Sequence, residues 1–447
     1  THLDMTEDNS GGTVAVTTTG AADGATVTVT VGGVSTTCTV ADNACTATVV
    51  QGTLAGLSEA THTITVAMTA DAAGNAVTSN TATTFIYDKT VPTLNIVIAS
   101  NNADTAKAKS GDTITLTITA SEAITALVCT IDGEATTMGG SGTSWTSALL
   151  LDGDETQQVT VFSCASFVDA ATNAGATDTT ANTGAVTVDL TLPTLGIVMA
   201  SNNADTAKAK SGDIVTLTIT ASEVVTDLVC TIDGEATTMG GSGTAWTSAL
   251  TLNGDETEGG LAFSCAGHKD ATSNAGATDT SATSGAVTVD LTAPTLTIGM
   301  TSNNAVVNTQ AKLNDVITLA ITASEAVTAL VCTIDGEATT MGGSGTGWTS
   351  TLTLSGDETA GALAFSCASF KDATGNVGVT DTSANTGSVN VDFTAPTLGI
   401  AMASNNADTA QAKLNDVITL TITASEAVTA LVCTIDGEAT TMGGSGT

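Results

Sequence analysis

Residues 113–119 read Thr-Ile-Thr-Leu-Thr-Ile-Thr, with aliphatic side chains on one face and hydroxyls on the other. That period of two is the mark of a half-buried strand, and threonine, β-branched and polar, suits its solvated face. The following run sets Leu127, Cys129 and Ile131 against Val128, Thr130 and Asp132. Further along, 159–165 places Thr160, Phe162 and Cys164 on one face, and 185–190 predicts a closing strand. No helical apolar period of useful length interrupts the pattern. About seven short strands per 100 residues, separated by Gly, Asn, Asp and Ser turns, predict β-sandwiches. The fold class expected is all-β.

The pattern repeats. The string T-x-P-T-L recurs around Pro92, Pro193, Pro294 and Pro396, the four prolines of the chain, spaced 101, 101 and 102 residues apart. Between prolines come S-N-N-A, T-A-S-E, L-V-C-T-I-D-G-E-A-T-T-M-G-G-S-G-T, a tryptophan (Trp145, Trp246, Trp348), G-D-E-T and F-S-C-A. Near-identity over such units marks tandem duplication. The expected organisation is a divergent first domain at 1–91, repeats at 92–192, 193–293 and 294–395, and the first half of another at 396–447. The extra residue of the third repeat lies between Asn304 and Asp315, as expected of a surface loop. Each junction is short and proline-pinned, which favours a semi-rigid string of sandwiches over a flexible one. At roughly 40 Å per sandwich, from strand length plus loops, the array would extend on the order of 180 Å.

Cysteine spacing fits this reading. Cys129 and Cys164, Cys230 and Cys265, and Cys332 and Cys367 are each 35 residues apart on core-facing positions, and Cys38 and Cys45 would clip a hairpin. Closing a 35-residue loop adds roughly 3–4 kcal/mol in the chain-entropy model. Reduced core-filling cysteines are the alternative; zinc fits poorly, for want of C-x-x-C spacing and nearby histidine. Disulfides imply an oxidising, extracellular setting. Cys433 is expected to find its partner in a strand beyond the half repeat.

Composition narrows the partners. The chain holds 9 Lys plus Arg against 45 Asp plus Glu, a formal net charge of −36, yet 42% of it is hydrophobic. Such a chain can fold, but it is repelled by phosphate, which excludes nucleic acid, and by anionic lipid. No apolar stretch is long enough to span a membrane as a helix. Aromatics at 2% leave little for a stacking or carbohydrate-binding surface. Catalysis has no constellation: His2, His62 and His268 are not repeated between units, and no serine has a recognisable His and Asp arrangement. The G-G-S-G-T at 139–143 lacks the lysine and following helix of a phosphate loop and is expected to be a hairpin turn. Each tryptophan is expected to plug the core against the disulfide rather than present a ligand platform. Lys107 and Lys109 are expected in a solvated loop.

The A-S-E strand end (Ala120, Ser121, Glu122), the T-I-D-G-E-A segment, Trp145, F-S-C-A and the closing V-D-x-T-x-P resemble bacterial Ig-like domains, the tandem modules of large surface adhesins and other extracellular repeat proteins. The first unit is similar to a sister type through its G-A-A-D-G-A-T-V segment at 20–27 and the D-A-A-G-N turn at 71–75. The resemblance implies Ig-like sandwiches in an extended rod, without enzymatic activity, at the cell surface. It does not fix function, because such modules serve as spacers, binders and filament parts alike.

Strand directions suggest where chemistry would gather. If the first strand after Pro92 leaves the linker, the second returns Glu122 to it, the penultimate strand brings Asp169 and Asn173, and the linker itself supplies Asp88. The same set recurs as Asp189, Glu223, Asp270 and Asn274, and as Asp290, Glu325, Asp372 and Asn376. Three carboxylates and an amide oxygen suit calcium, and the resemblance to calcium-rigidified adhesin repeats implies the same cofactor. The alternative is that each Asp and Asn serves only an Asx turn or a solvated loop.

Together these readings predict a non-enzymatic extracellular stalk, adhesin shaft or surface fibre. Its partners would be its own neighbouring repeats and identical chains in a fibre, with any receptor-binding tip elsewhere. The alternative is a filament subunit assembled by lateral packing or strand exchange between chains. The half repeat at 396–447 cannot close a sandwich alone, and truncation of a longer array is its simpler reading. No signal peptide or anchor is visible, as expected of an internal fragment.

Overall fold

The computed structural model describes residues 2–3, 12–50, 52, 56–70, 73–75 and 83–443. Asp71 and Ala72 of the D-A-A-G-N turn, and residues 444–447, lie outside the described residues. Every helical or extended element among the described residues is a strand, and the fold is one of tandem all-β Ig-like sandwiches. The chain forms two compact units, 1–198 with 218–248 and 263–283, and 199–217 with 249–262 and 284–447.

In the first unit, residues before Pro92 build a five-stranded sheet ordered His2–Leu3, Thr83–Tyr87, Ala60–Ala67, Thr26–Val31, Val34–Thr39, faced by the pair Gly12–Thr17 and Ala44–Val49. Alternation puts Val27, Val29 and Val31 into a core shared with Ala47, Phe85 and Tyr87. Cys38 is bonded to Cys45 and clips a tight reversal as expected, the Asp42-Asn43 turn closed by the antiparallel pair Ala41 and Ala44. Val34–Thr39 hydrogen-bonds to Thr26–Val31 and Ala44–Val49 to Gly12–Thr17, so the disulfide ties one sheet to the other.

After Pro92, Thr113–Ile124 is the central strand of three, flanked by Leu94–Ser100 and Thr137–Leu150. Ile114, Leu116, Ile118 and Ala120 are buried from it while the threonines face out. Burying each Ile or Leu stabilises by about 1.5–3 kcal/mol. The facing sheet orders Glu134–Ala135, Val128–Ile131 and Phe162–Ala165. In it Cys129 lies directly opposite Cys164, Cα to Cα 4.1 Å, and the two are bonded. This disulfide staples neighbouring strands of one sheet and points into the core.

Two strand expectations change. The run 159–165 splits between partners: Thr160 N donates to Val186 O, whereas Phe162–Ala165 pairs with Val128–Ile131. The closing strand shortens to Thr187–Val188, parallel to Lys107–Ala108. The G-G-S-G-T at 139–143 lies within the span Thr137–Leu150 and is the hairpin turn expected, with Ser147 Oγ donating back to Thr136 Oγ1 at 2.6 Å. Register jumps there, from Thr119 opposite Ser144 to Ile124 opposite Gly142. Gly140 carries the bend at φ 95°, and a Cβ on it would lie 2.3 Å from Ser144 O. The chain therefore reverses here, and 136–140 lies back against 144–147. Trp145 is partly buried against the core, its Nε1 donating to Gly142 O at 2.9 Å.

In the second unit the segment 294–391 repeats this plan. Val316–Val327 is flanked by Leu296–Ser302 and Thr340–Thr353, Val331–Ile334 by Glu337–Ala338 and Phe365–Ala368, and Cys332 is bonded to Cys367. The extra residue falls in an exposed turn where Val306 projects into solvent. The intervening repeat keeps the Cys230–Cys265 bond on facing strands Val229–Ile232 and Phe263–Ala266 in the first unit. It keeps the parallel pair Lys208–Ala209 and Thr288–Val289 in the second.

Candidate metal centres

Asp88 follows strand Thr83–Tyr87, and its Oδ1 accepts the Thr90 N–H at 3.0 Å. Glu122 stands near the end of Thr113–Ile124, half-buried on the same side of the strand as buried Ala120 and Ile124. Asp169 opens the loop after Phe162–Ala165 and is 3% exposed. Burying that carboxylate is tolerable because its oxygens are occupied. Oδ1 accepts the N–H groups of Ala171 at 2.8 Å and Asn173 at 2.9 Å, and Oδ2 accepts Asn173 Nδ2 at 2.8 Å. Carboxylate oxygens of Asp88, Glu122 and Asp169 come within 4.8 Å of one another.

The same convergence unites Asp189, Glu223 and Asp270, and again Asp290, Glu325 and Asp372. Asp270 Oδ1 accepts from Thr272 and Asn274 at 2.7 and 2.8 Å. Asp372 Oδ1 accepts from Thr374, Gly375 and Asn376 at 2.7, 2.6 and 2.9 Å. The loop aspartates are thus Asx-turn residues and members of a carboxylate cluster at once; the two readings of the sequence do not exclude each other.

The asparagines have a part beside that of the amide-oxygen donor expected. Asn173 Nδ2 donates to Asp88 O at 3.1 Å as well as to Asp169, Asn274 Nδ2 to Asp189 O at 2.9 Å, and Asn376 Nδ2 to Asp290 O at 2.9 Å. With both amide hydrogens spent on these acceptors, each asparagine joins the linker backbone to the loop and positions the carboxylates.

Charge in the clusters is uncompensated. Glu122 is held above the ordinary glutamate range by burial first, then by Asp88, Asp169 and Glu59. Glu223 is raised by burial, Asp270 and Asp189, and Glu325 by burial, Asp372 and Asp290. Three hard oxygen donors from three elements, each cluster short of positive charge, fit a calcium-type ion. Acidic groups also gather at Glu134, Asp154 and Glu155. There Glu155 caps its own turn, accepting from Asp152 N at 2.8 Å and Gly153 N at 3.0 Å.

Two sets of residues around the linkers carry no expectation from the sequence. Glu59 brackets the first linker, accepting Lys89 N at 2.9 Å and Thr90 Oγ1 at 2.8 Å. Gln157 does so for Leu190 and Thr191, and Glu258 for Leu291 and Thr292. Bonding of this kind holds Glu258 below its ordinary range. The second set is the second asparagine of S-N-N-A. Asn102 Nδ2 donates to Asp112 Oδ2 at 2.8 Å and to Thr272 O at 3.0 Å, in the loop that presents Asp270. Asn203 Nδ2 likewise reaches Asp213 Oδ2 at 2.8 Å and Thr374 O at 3.0 Å. Lys107, expected in a solvated loop, lies in strand Lys107–Ala108 and reaches Ala271 O at 3.2 Å. Recurrence of S-N-N-A was the available signal for the asparagines; the clamp had none, because its residue changes between units.

Comparison with known proteins gives a family match over part of the chain. Residues 46–140 match the model of the bacterial Ig-like domain, group 3, a span that runs across Pro92. Among curated proteins, none matches the chain. Solved structures similar to it include a Ca2+-stabilized adhesin that helps an Antarctic bacterium reach out and bind ice, at 21% identity and TM-score 0.43, covering 88% of this chain and 96% of that one. A 1.5-MDa bacterial ice-binding adhesin is similar at 17% identity and TM-score 0.37, covering 69% and 100%. The I9–I11 tandem of titin is similar at 10% identity and TM-score 0.25, covering 68% and 100%. The resemblance drawn from the repeat motifs is thus borne out, and over residues 46–140 the chain is similar to the bacterial Ig-like domain family.

Proposed function

We propose that this chain is a non-enzymatic, extracellular structural element: a stalk, adhesin shaft or surface fibre of Ig-like domains divided at 1–91, 92–192, 193–293, 294–395 and 396–447. Calcium at the linker clusters stiffens it into a rod. The carrying observation is that a linker aspartate, a strand-end glutamate and a loop aspartate converge within 4.8 Å three times over. A linker that shares a cation with the sandwich after it loses the freedom to bend. Each asparagine bond to a linker carbonyl and each Glu or Gln clamp adds a restraint in the same place. The four disulfides require an oxidising compartment, in keeping with the cell surface. Partners under this reading are neighbouring repeats and identical chains in a fibre.

Titration calorimetry with calcium tests it on the intact chain. The expected result is three sites per chain, abolished one at a time by Glu122→Gln, Glu223→Gln and Glu325→Gln, with small-angle scattering showing a longer particle in calcium than in chelator. Absence of calcium uptake at millimolar concentration, together with an unchanged particle length, overturns it.

A further inference from the structure

The residue that brackets each linker changes between junctions while its bonds do not. Glu258 Oε1 accepts Leu291 N at 3.0 Å and Thr292 Oγ1 at 2.6 Å. Gln157 Oε1 makes the same two bonds one junction earlier, to Leu190 N at 3.3 Å and Thr191 Oγ1 at 2.8 Å. The linker reads Asp-Leu-Thr in both places, and the carboxylate sets match, Asp189, Glu223 and Asp270 against Asp290, Glu325 and Asp372. Lys269 and Lys371 precede the loop aspartates alike. At the clamp, then, the two centres differ by an amide for a carboxylate, a change of charge without a change of shape. Bonds from Thr292 and Leu291 hold Glu258 below its ordinary range, so its charge is in place at neutral pH. The first junction is a less clean contrast, because Lys89 adds an ammonium to that linker, donating to Leu57 O at 3.0 Å and lying over the Tyr87 ring.

We infer that the clamp residue grades the calcium affinity of its junction: Glu258 tightens the centre at Asp290, and Gln157 leaves the centre at Asp189 the weaker. The inference rests on the calcium reading above and says what regulates it. The clamp need not touch the ion. Its oxygen stays on the linker N–H and hydroxyl, and its charge acts through space on a divalent cation, whose affinity follows the negative charge gathered around it. Glu258 is exposed, so water and salt weaken the effect to roughly two- to fivefold at low ionic strength. Over some range of calcium concentration the linker at 290–294 is therefore stiff while that at 189–193 still bends, and rising calcium removes the second hinge later. Thr374 Oγ1 also donates to Asp290 Oδ2 at 3.2 Å, so exchange of the clamp residues, rather than a comparison of the natural centres, isolates the charge.

The test is a charge swap on the intact chain, read by titration calorimetry with calcium. Glu122→Gln with Glu325→Gln leaves the Asp189 centre to be measured alone, and Glu122→Gln with Glu223→Gln leaves the Asp290 centre alone. In these backgrounds Gln157→Glu should tighten the Asp189 centre and Glu258→Gln should weaken the Asp290 centre, each by roughly two- to fivefold at about 0.01 M ionic strength. Both ratios should shrink at about 0.15 M, where the Debye length falls from about 30 Å to about 8 Å. A clamp that acted only by holding the linker would keep its effect there. Both exchanges are isosteric, and unchanged circular dichroism verifies the fold. Affinities that neither exchange moves, or ratios that salt leaves undiminished, overturn the inference and leave the calcium reading standing. Absence of calcium uptake at both centres overturns that reading, and this inference with it.

Discussion

At the fourth position of the D-A-x-x-N loop, three sequences meet one backbone conformation. Thr172, Ser273 and Gly375 have φ of 73°, 70° and 95°. Only glycine adopts that region without steric cost, and a β-branched residue there is a genuine outlier. The left-handed conformation costs a non-glycine residue about 1–2 kcal/mol. Thr172→Gly should therefore stabilise the 92–192 segment by about 1 kcal/mol after glycine's greater unfolded-state entropy is subtracted, while Gly375→Thr should destabilise its own segment by a like amount. Urea unfolding of the two variants checks both signs. Asn203 makes the second argument at this scale. Removing its amide leaves Asp213 Oδ2 and Thr374 O each short of one donor, so Asn203→Ala should cost about 1–3 kcal/mol. Calcium affinity at Glu325 should stay within twofold, because the asparagine bonds the loop carbonyl of Thr374 and none of that cluster's carboxylate oxygens; paired melting and calorimetry separate the effects.

At the scale of the element, the strands were legible where side-chain period alone decides them. Thr113–Ile124 and Val128–Ile131 follow from alternation, and the opposed cysteines follow from two core-facing positions meeting across one ladder. Other features were hidden because pairing partner, not local pattern, decides them. The run 159–165 divides because two sheets claim its halves. Carboxylate convergence was legible from strand direction, but the Asn173 bond to the linker carbonyl was not, since composition does not say what an amide N–H will meet. The strand-end glutamates lead to a pH prediction. Glu122, Glu223 and Glu325 are raised in the folded chain, so without a cation their contribution is fully present below the ordinary glutamate value of 4.5. It is lost as pH rises through the elevated folded value. In chelator, replacing all three by Gln should therefore raise the melting temperature more at pH 7 than at pH 4. A calorimetric scan across that range, wild type against triple variant, checks it; an equal shift at both pH values contradicts it.

At the scale of the whole molecule, the question is whether calcium acts as a ligand or only as a counterion. A chain of net charge −36 repels itself, and any salt relieves that repulsion over distances set by the Debye length. Screening depends on ionic strength, is indifferent to which carboxylates are present, and is matched by sodium at equal ionic strength. Coordination saturates, and it requires the three clusters. For a site that binds only the folded state, stabilisation reaches about 2.7 kcal/mol when the free ion is at a hundredfold its dissociation constant. A domain of about 100 residues gains roughly 4–8 °C per kcal/mol, so saturating calcium should raise the melting of the junction-bearing segments by on the order of 10 °C. Sodium chloride at the same ionic strength should give a small fraction of that. The triple variant Glu122→Gln, Glu223→Gln, Glu325→Gln should keep the sodium response and lose the calcium response, because it removes one donor from each cluster and only three charges from the whole. Differential scanning calorimetry in chelator, matched sodium and calcium distinguishes the cases. If sodium reproduces the calcium shift in the wild type, the clusters are solvated acidic loops, and rigidity at the linkers rests on the asparagine and glutamate bonds alone.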